Sequence, residues 1–141
     1  MKFEVNLERY YPHTVAEVWD GLTTNEGISD WLMETSNFKP RAGHRFEMTC
    51  LDEAGNVDVY RCQVLELDPP HHLVWSWVMA GKEKGNKAEV EFRLSATDTG
   101  TTVLLSHRGD LDQVTIDRFK SGWESKLDLL AETLVQRREV H

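Results

Sequence analysis

The chain has 141 residues, of which 40% are hydrophobic and 28% charged, and this is typical of one soluble globular domain spanning residues 1–141. Its length allows a core large enough to fold without metal or disulfide staples. The net charge is −8, and because a phosphate backbone is bound mainly through Lys and Arg, this acidity argues against a nucleic-acid partner.

The sequence carries no segment of membrane-spanning length, since its longest apolar run, Leu73–Ala80, has only eight residues. The N-terminal residues lack the apolar stretch of a signal peptide. A cytoplasmic protein without membrane insertion is therefore expected. Cys50 and Cys62 lack CxxC or zinc-finger spacing, which favours free thiols in a reducing compartment.

The first third of the chain combines one strand pattern with two helix starts. Lys2–Tyr11 places apolar residues at every second position, the period of a half-buried strand. Thr14 and Glu17 form a capping-box pattern, which predicts that a helix begins there. A second short helix follows at once, and either Thr23 or Thr24 is placed to cap it.

From Phe38 to Gly109 strands alternate with turn residues, which predicts an antiparallel meander. The alternation is clearest in Glu89–Leu94, where charged and apolar residues take turns. Within Val57–Leu67 the apolar residues change parity, and this indicates a β-bulge. Three basic residues are expected at a solvated hairpin tip: Lys82, Lys84 and Lys87.

The segment Asp112–Arg138 contains no Pro and a single Gly, and it predicts an amphipathic helix of about seven turns. Its apolar residues step by three or four: Ile116, Phe119, Trp123, Leu127, Leu130 and Leu134. Asp110 and Asp112 are predicted to cap it. One apolar stripe suits an α+β fold in which a curved antiparallel sheet of about six to seven strands wraps around this helix.

Short motifs along the chain point to a known family. They are Pro12 with Val18-Trp19-Asp20 and Leu22, Trp31-Leu32, Pro40-x-x-Gly43, Val64–Pro70, Leu73–Trp77, Gly100–Gly109 and Gly122-Trp123. From about residue 3 to residue 135 the sequence resembles the START-like, or SRPBCC, superfamily. Within it, the closer resemblance is to the family named for the C-terminal domain of the activator of the heat-shock protein 90 ATPase.

This resemblance implies a single START-like domain with the Bet v-type helix-grip fold, in which a cavity or tunnel lies between the sheet and the long helix. The superfamily includes lipid carriers, plant hormone receptors, polyketide cyclases and a dioxygenase catalytic domain. Because one fold serves such different activities, the resemblance specifies the architecture far better than the chemistry.

Aromatic and apolar side chains at the predicted inward positions are the candidate lining of that cavity. They are Trp31, Phe46, Met48, Trp75, Trp77, Phe92, Leu105, His107, Phe119, Trp123 and Leu127. Such residues also fill ordinary cores, so a packed core is the alternative interpretation. Cavities with aromatic walls and few polar groups take apolar ligands, and the favoured function is binding of a small hydrophobic or aromatic ligand without a cofactor.

His107 shares the predicted inward strand face with Val103 and Leu105, and a structural, hydrogen-bonded role is favoured for it over that of a polar anchor for a ligand. Gly122, beside Trp123, is predicted to mark a close approach of the long helix to the sheet, because Gly inside a helix needs a packing reason.

Two other functions stay open. A cyclase or isomerase needs one or two buried acid–base groups, for which His107, Tyr60 and Arg61 are candidates. A chaperone-related protein-interaction module is the second alternative, and a homodimer is also compatible with the sequence. No HExxH, paired-Cys or GxSxG pattern is present, so the sequence predicts neither a metal site nor a catalytic nucleophile.

Overall fold

The computed structural model describes residues 2–51, 54–80, 88–110 and 113–140. Within them a curved six-stranded antiparallel sheet holds three helices on one face, which confirms the predicted α+β helix-grip architecture. The elements are β1 (Lys2–Tyr11), α1 (Val15–Thr23), α2 (Asn25–Trp31), β2 (Arg45–Leu51), β3 (Val57–Asp68), β4 (His72–Met79), β5 (Ala88–Ala96), β6 (Thr101–Asp110) and α3 (Gln113–Val140). The strand order is β1-β6-β5-β4-β3-β2, so only β1 pairs with a strand distant in sequence.

The two short helices begin where the sequence predicts. The Thr14 hydroxyl accepts a hydrogen bond from the backbone N–H of Glu17 at 3.1 Å, and the Glu17 carboxylate accepts from the Thr14 N–H, which completes the capping box. Thr24 caps α2 through the N–H of Gly27. The indole N–H of Trp31 then donates to the Gly21 carbonyl at 2.9 Å, which ties the end of α2 back to α1.

The strands align their buried residues in rows across the inner face of the sheet, the face that α3 covers. Trp75 of β4 lies opposite Val90 of β5, and Val90 lies opposite His107 of β6. All three side chains are buried, as the alternation of inward and outward positions requires. One row of the register therefore brings a tryptophan and a histidine from distant parts of the sequence to the same level.

The predicted bulge in β3 is confirmed, but its position differs from the change in parity. The pairing with β4 shifts between Val64 and Glu66, which leaves one extra residue in β3. Tyr60 and Val64 belong to the buried face, whereas Val57, near the open end of the strand, is 62% exposed. The parity of the apolar residues thus changes because apolar side chains near the start of β3 lie on the outer face. The bulge itself lies further along β3, between Val64 and Glu66.

The outer face of the sheet carries a network of charged side chains centred on Glu91. This carboxylate is hydrogen-bonded to His72 and accepts from Arg108 at 3.0 Å, while Arg93 lies 2.9 Å away. Burial alone raises the pKa of Glu91, but the hydrogen bonds with His72 and Arg108 outweigh it and hold the pKa below its ordinary value. The one buried acidic residue among the described residues therefore faces away from α3.

Helix α3 confirms the predicted stripe and shows that its two halves differ in burial. Its buried apolar residues are Trp123, Leu127, Leu130 and Leu134. Phe119 and Ile116, nearer its start, are only half-buried, and no described residue between 113 and 122 is buried. Asp110 is the last residue of β6, while Asp112 and the basic residues 82, 84 and 87 lie outside the described residues.

The prediction for Gly122 is wrong. Gly122 is exposed, and a Cβ atom built on it meets no other atom within 4 Å, so α3 does not need a glycine there to approach the sheet. A different close approach, between two loop and strand segments, occurs at Gly100, just before β6. A Cβ on Gly100 would lie 2.2 Å from the Tyr11 carbonyl oxygen and 2.9 Å from the Pro12 Cα, both of them backbone atoms.

Gly100→Ala and Gly122→Ala should therefore change stability in opposite directions. We expect Gly100→Ala to lower the free energy of unfolding by about 1–3 kcal/mol, because backbone must move to admit the methyl group. Gly122→Ala should raise it by up to about 1 kcal/mol, because Ala is the better helix former in open space. Urea denaturation of both variants measures the difference, and equal effects would contradict the assignment.

Candidate functional site

The candidate site is the aromatic interior between the inner face of the sheet and α3. Alternation along β4, β5 and β6 places four rings on that face: Trp75, Trp77, Phe92 and His107. Trp123 of α3 packs against this group. All five side chains are buried. The site is therefore built mainly from the regular part of the fold, which fixes its geometry more firmly than loops would.

The rings form a continuous cluster. Trp123 lies 5.6 Å from Trp77 and 6.1 Å from Phe92 between ring centroids, and Trp31 of α2 lies 6.3 Å from Trp123. Tyr60 of β3 contacts Trp77 from the other side at 5.0 Å. Of these four pairs, Trp123 with Phe92 is edge-to-face, a geometry that aromatic pairs prefer, and the other three are tilted.

A second group of rings extends the cluster toward β2. Trp75 lies 5.3 Å from Phe92 and 5.5 Å from Phe46, and Phe38 contacts Phe46 at 4.9 Å. Phe38 belongs to the irregular segment between α2 and β2. The side chain of Asn25 holds it there, because it accepts from the Phe38 N–H at 2.7 Å and donates to the Phe38 carbonyl.

A buried hydrogen bond joins α3 to the sheet inside this cluster. The indole N–H of Trp123 donates to Nδ1 of His107 at 2.7 Å. Because a tryptophan can only donate, Nδ1 carries no proton, and the neutral imidazole has its hydrogen on Nε2. Burial lowers the pKa of His107 to about 3, so the ring is uncharged throughout the physiological pH range.

Phe119 lies where the cluster approaches the less buried half of α3. Its ring stacks on His107 at 4.5 Å with 17° between the planes, and its centroid is 6.4 Å from Trp77. Unlike the other rings of the predicted lining, Phe119 is only half-buried. The aromatic interior therefore comes closest to solvent at this residue.

Two indole groups in the cluster have no hydrogen-bond partner among the described residues. They are the Nε1 atoms of Trp75 and Trp77, both buried away from solvent. By contrast, Trp31 and Trp123 donate to protein acceptors. A buried donor without an acceptor costs about 1–3 kcal/mol, so these two positions are unfavourable in the protein alone.

The structure brings the sequence-predicted lining residues together in one core, with ten of them buried and Phe119 packed against these. Sequence reasoning left Tyr60 and Phe38 out of the lining. Tyr60 could have been found from the parity it shares with Cys62, whereas Phe38 lies in a segment without periodicity. His107 has the buried, hydrogen-bonded position favoured for it, and whether it also contacts a ligand stays a prediction.

Of the three acid–base candidates, the structure excludes Arg61 from the interior. Its side chain is 62% exposed, and its guanidinium lies 3.5 Å from Glu47 on the outer face. A depression of about 580 Å³ lies on this same side of the sheet and is lined mainly by polar residues, among them Arg45, Gln63 and Ser76. Phe46 is the one ring of the aromatic cluster among the residues that line this depression.

Among the described residues no three His, Cys, Asp or Glu side chains are grouped so that they could hold a metal ion. No helix in the described part of the chain has the length and apolar character needed to cross a membrane. Cys50 and Cys62 do not form a disulfide, and burial raises the pKa of Cys62, which makes it a poor nucleophile.

We expect His107 to remain neutral as the pH falls below 6.5. A histidine with a pKa of about 3 in the folded state and about 6.5 in the unfolded state stabilises the fold fully above pH 6.5. That contribution is lost as the pH falls from 6.5 toward 3. Two-dimensional NMR of the His107 imidazole protons across this pH range tests this. A His107 signal that titrates near pH 6.5 would contradict the assignment.

Solved structures of other proteins share this fold. Protein MLL2253 from Mesorhizobium loti is 29% identical with a TM-score of 0.85, and the match covers 95% of this chain and 98% of that one. CalU16 from Micromonospora echinospora is 30% identical with a TM-score of 0.75, over 93% of this chain and 75% of that one. DynU16, from the dynemicin biosynthetic locus, is 21% identical with a TM-score of 0.80, over 93% of this chain and 46% of that one, and shows likeness of fold alone.

A search among curated proteins found no significant match. The family described as Activator of Hsp90 ATPase homolog 1-like protein, by contrast, matches residues 12–135. That range contains both short helices, every strand after β1 and most of α3, and therefore all the rings of the aromatic interior. The chain belongs to this family, as the order of its sequence motifs indicated.

Proposed function

We propose that this protein binds a small hydrophobic or aromatic molecule in the interior between the inner face of the sheet and α3. The observation that carries the proposal is the continuous aromatic cluster that begins at the half-buried Phe119 and extends inward through Trp77 and Trp123. Flat apolar molecules gain most from such a wall, because ring contacts add to the burial of apolar surface.

Two features favour a binding site over a core that serves stability alone. The indole groups of Trp75 and Trp77 lack acceptors within the described residues, whereas a core that only stabilises the fold is expected to pair its buried donors. In addition, the half of α3 that carries Phe119 is less buried than the half that carries Leu127 and Leu130. A ligand would supply the missing contacts at both places.

The electrostatics favour binding over acid–base catalysis. A general acid or base works best with a pKa near the operating pH. Burial holds the pKa of His107 near 3 and raises the pKa of Tyr60 to about 12, so neither group exchanges a proton readily at neutral pH. The free thiols of Cys50 and Cys62 suit a reducing compartment, and we place the binding function in the cytoplasm.

Intrinsic tryptophan fluorescence titrated with flavone and with palmitate tests the proposal. Four of the five tryptophans belong to the cluster, so a bound molecule is expected to change the emission in a saturable way. Phe119→Ala should weaken binding several-fold, because it removes the ring that stacks on His107 and approaches Trp77.

Leu129→Ala is the matched control, since Leu129 lies on the same helix but is 40% exposed. It should leave the affinity unchanged, although it also truncates an apolar side chain of the helix. Thermal denaturation confirms that both variants are folded. If neither compound changes the emission of the folded wild-type protein, the cluster is a core and nothing more.

A further inference from the structure

Besides its apolar surface, the aromatic interior has polar atoms that bear on which polar groups a ligand can carry. Its tryptophans divide into two kinds: Trp31 and Trp123 donate to acceptors within the protein, while Trp75 and Trp77 have none among the described residues. A molecule that brings an acceptor to one of the unpaired N–H groups gains a hydrogen bond that the protein cannot make for itself.

Trp77 is better placed than Trp75 to meet such a molecule. Trp75 is fully buried, and three phenylalanine rings surround it: Phe38, Phe46 and Phe92. Trp77 keeps 4% of its surface exposed and contacts Phe119, the half-buried ring of the cluster. A ligand that enters beside Phe119 therefore reaches Trp77 before Trp75.

The polar groups near Trp77 favour an acceptor and disfavour a donor on the ligand. Nδ1 of His107, whose ring lies 5.3 Å from Trp77, already accepts from Trp123, and the other ring nitrogen carries the hydrogen. The hydroxyl of Tyr11, deeper under α3, donates to the Leu127 carbonyl and so occupies that acceptor too.

The charges of the interior favour an uncharged ligand. Among the described residues, the side chains buried on the inner face of the sheet include no charged group, since Glu91 faces outward and His107 is neutral. An ion brought into this cluster would lose its hydration without gaining a partner of opposite charge. A carbonyl or ether oxygen, by contrast, is a neutral acceptor.

We propose that the ligand is an uncharged, largely aromatic molecule with a carbonyl-type oxygen, and that the Nε1–H of Trp77 donates a hydrogen bond to this oxygen. The inference rests on the proposed function, because it assigns the polarity of the molecule that the same interior binds. It makes Trp77 the residue that sets specificity and leaves the other rings to supply apolar contact.

The matched probes are 9-fluorenone and fluorene, which have the same ring skeleton and differ in that only the ketone has an acceptor oxygen. Isothermal titration calorimetry measures both affinities without depending on tryptophan emission. The wild-type protein should bind fluorenone about three- to tenfold more tightly than fluorene, the range expected for one neutral hydrogen bond. Fluorene-9-carboxylate, which is anionic, should bind more weakly than either.

Trp77→Phe keeps an aromatic ring but removes the N–H group. The ratio of the affinity for fluorenone to the affinity for fluorene should therefore fall to about one, while the affinity for fluorene itself changes by no more than about twofold. Trp19→Phe, which alters a tryptophan outside the cluster, is the control and should keep the preference, and Trp75→Phe tests whether the other unpaired indole donates instead. Infrared spectroscopy gives a second measurement that needs no variant: the carbonyl band of fluorenone should move to lower frequency when bound to the wild-type protein, as it does on hydrogen bonding.

The outcomes separate the two proposals. If fluorene and fluorenone bind the wild-type protein equally well, the inference about polarity is overturned and the binding function stands. Loss of the preference in Trp75→Phe but not in Trp77→Phe overturns the assignment to Trp77, and tightest binding of the carboxylate overturns the uncharged ligand. If none of the three probes binds the folded protein, both proposals fail.

Discussion

The hydrogen bond from Trp123 to His107 is the constraint on which the arrangement of the aromatic interior depends. It is the buried side-chain link between α3 and β6, and it forms between two uncharged rings. Because Trp123 can only donate, the bond fixes the tautomer and the plane of His107, and that plane is the surface on which Phe119 stacks. Loss of either partner would leave a buried polar atom unpaired, at a cost of about 1–3 kcal/mol. The hydrogen bond therefore fixes the rotation of α3 about its own axis relative to the sheet.

Helix α3 is anchored mainly at its C-terminal half. There Leu130 and Leu134 are buried, Tyr11 donates to the Leu127 carbonyl at 2.9 Å, and Arg138 pairs with Glu17 of α1. The first turns of the helix carry half-buried residues instead. The same helix therefore holds the domain together at its C-terminal end, while near its start Phe119 is the half-buried ring of the aromatic cluster.

The parts of this structure that could be predicted are those governed by local periodicity. Alternation identified β1 and placed His107 inward, and the capping box of Thr14 located α1. Gly122 was misjudged because neighbouring residues in a helix point about 100° apart, so the residue beside a buried Trp123 faces solvent. Contacts such as that of Phe38 with Trp75 depend on how an irregular segment packs, which no local pattern specifies.

Composition treats the tryptophans of this chain as equivalent, and their hydrogen bonds distinguish them. The N–H groups of Trp31 and Trp123 donate to acceptors within the protein and so need no other partner. Trp75 and Trp77 do not, within the described residues, although they lie on β4, whose pairing with β5 is unbroken. Phenylalanine would fill the same space without a donor to satisfy. For Trp77, the ligand proposed above would be the missing acceptor, in keeping with the tendency of proteins to depart from local consistency at their functional sites.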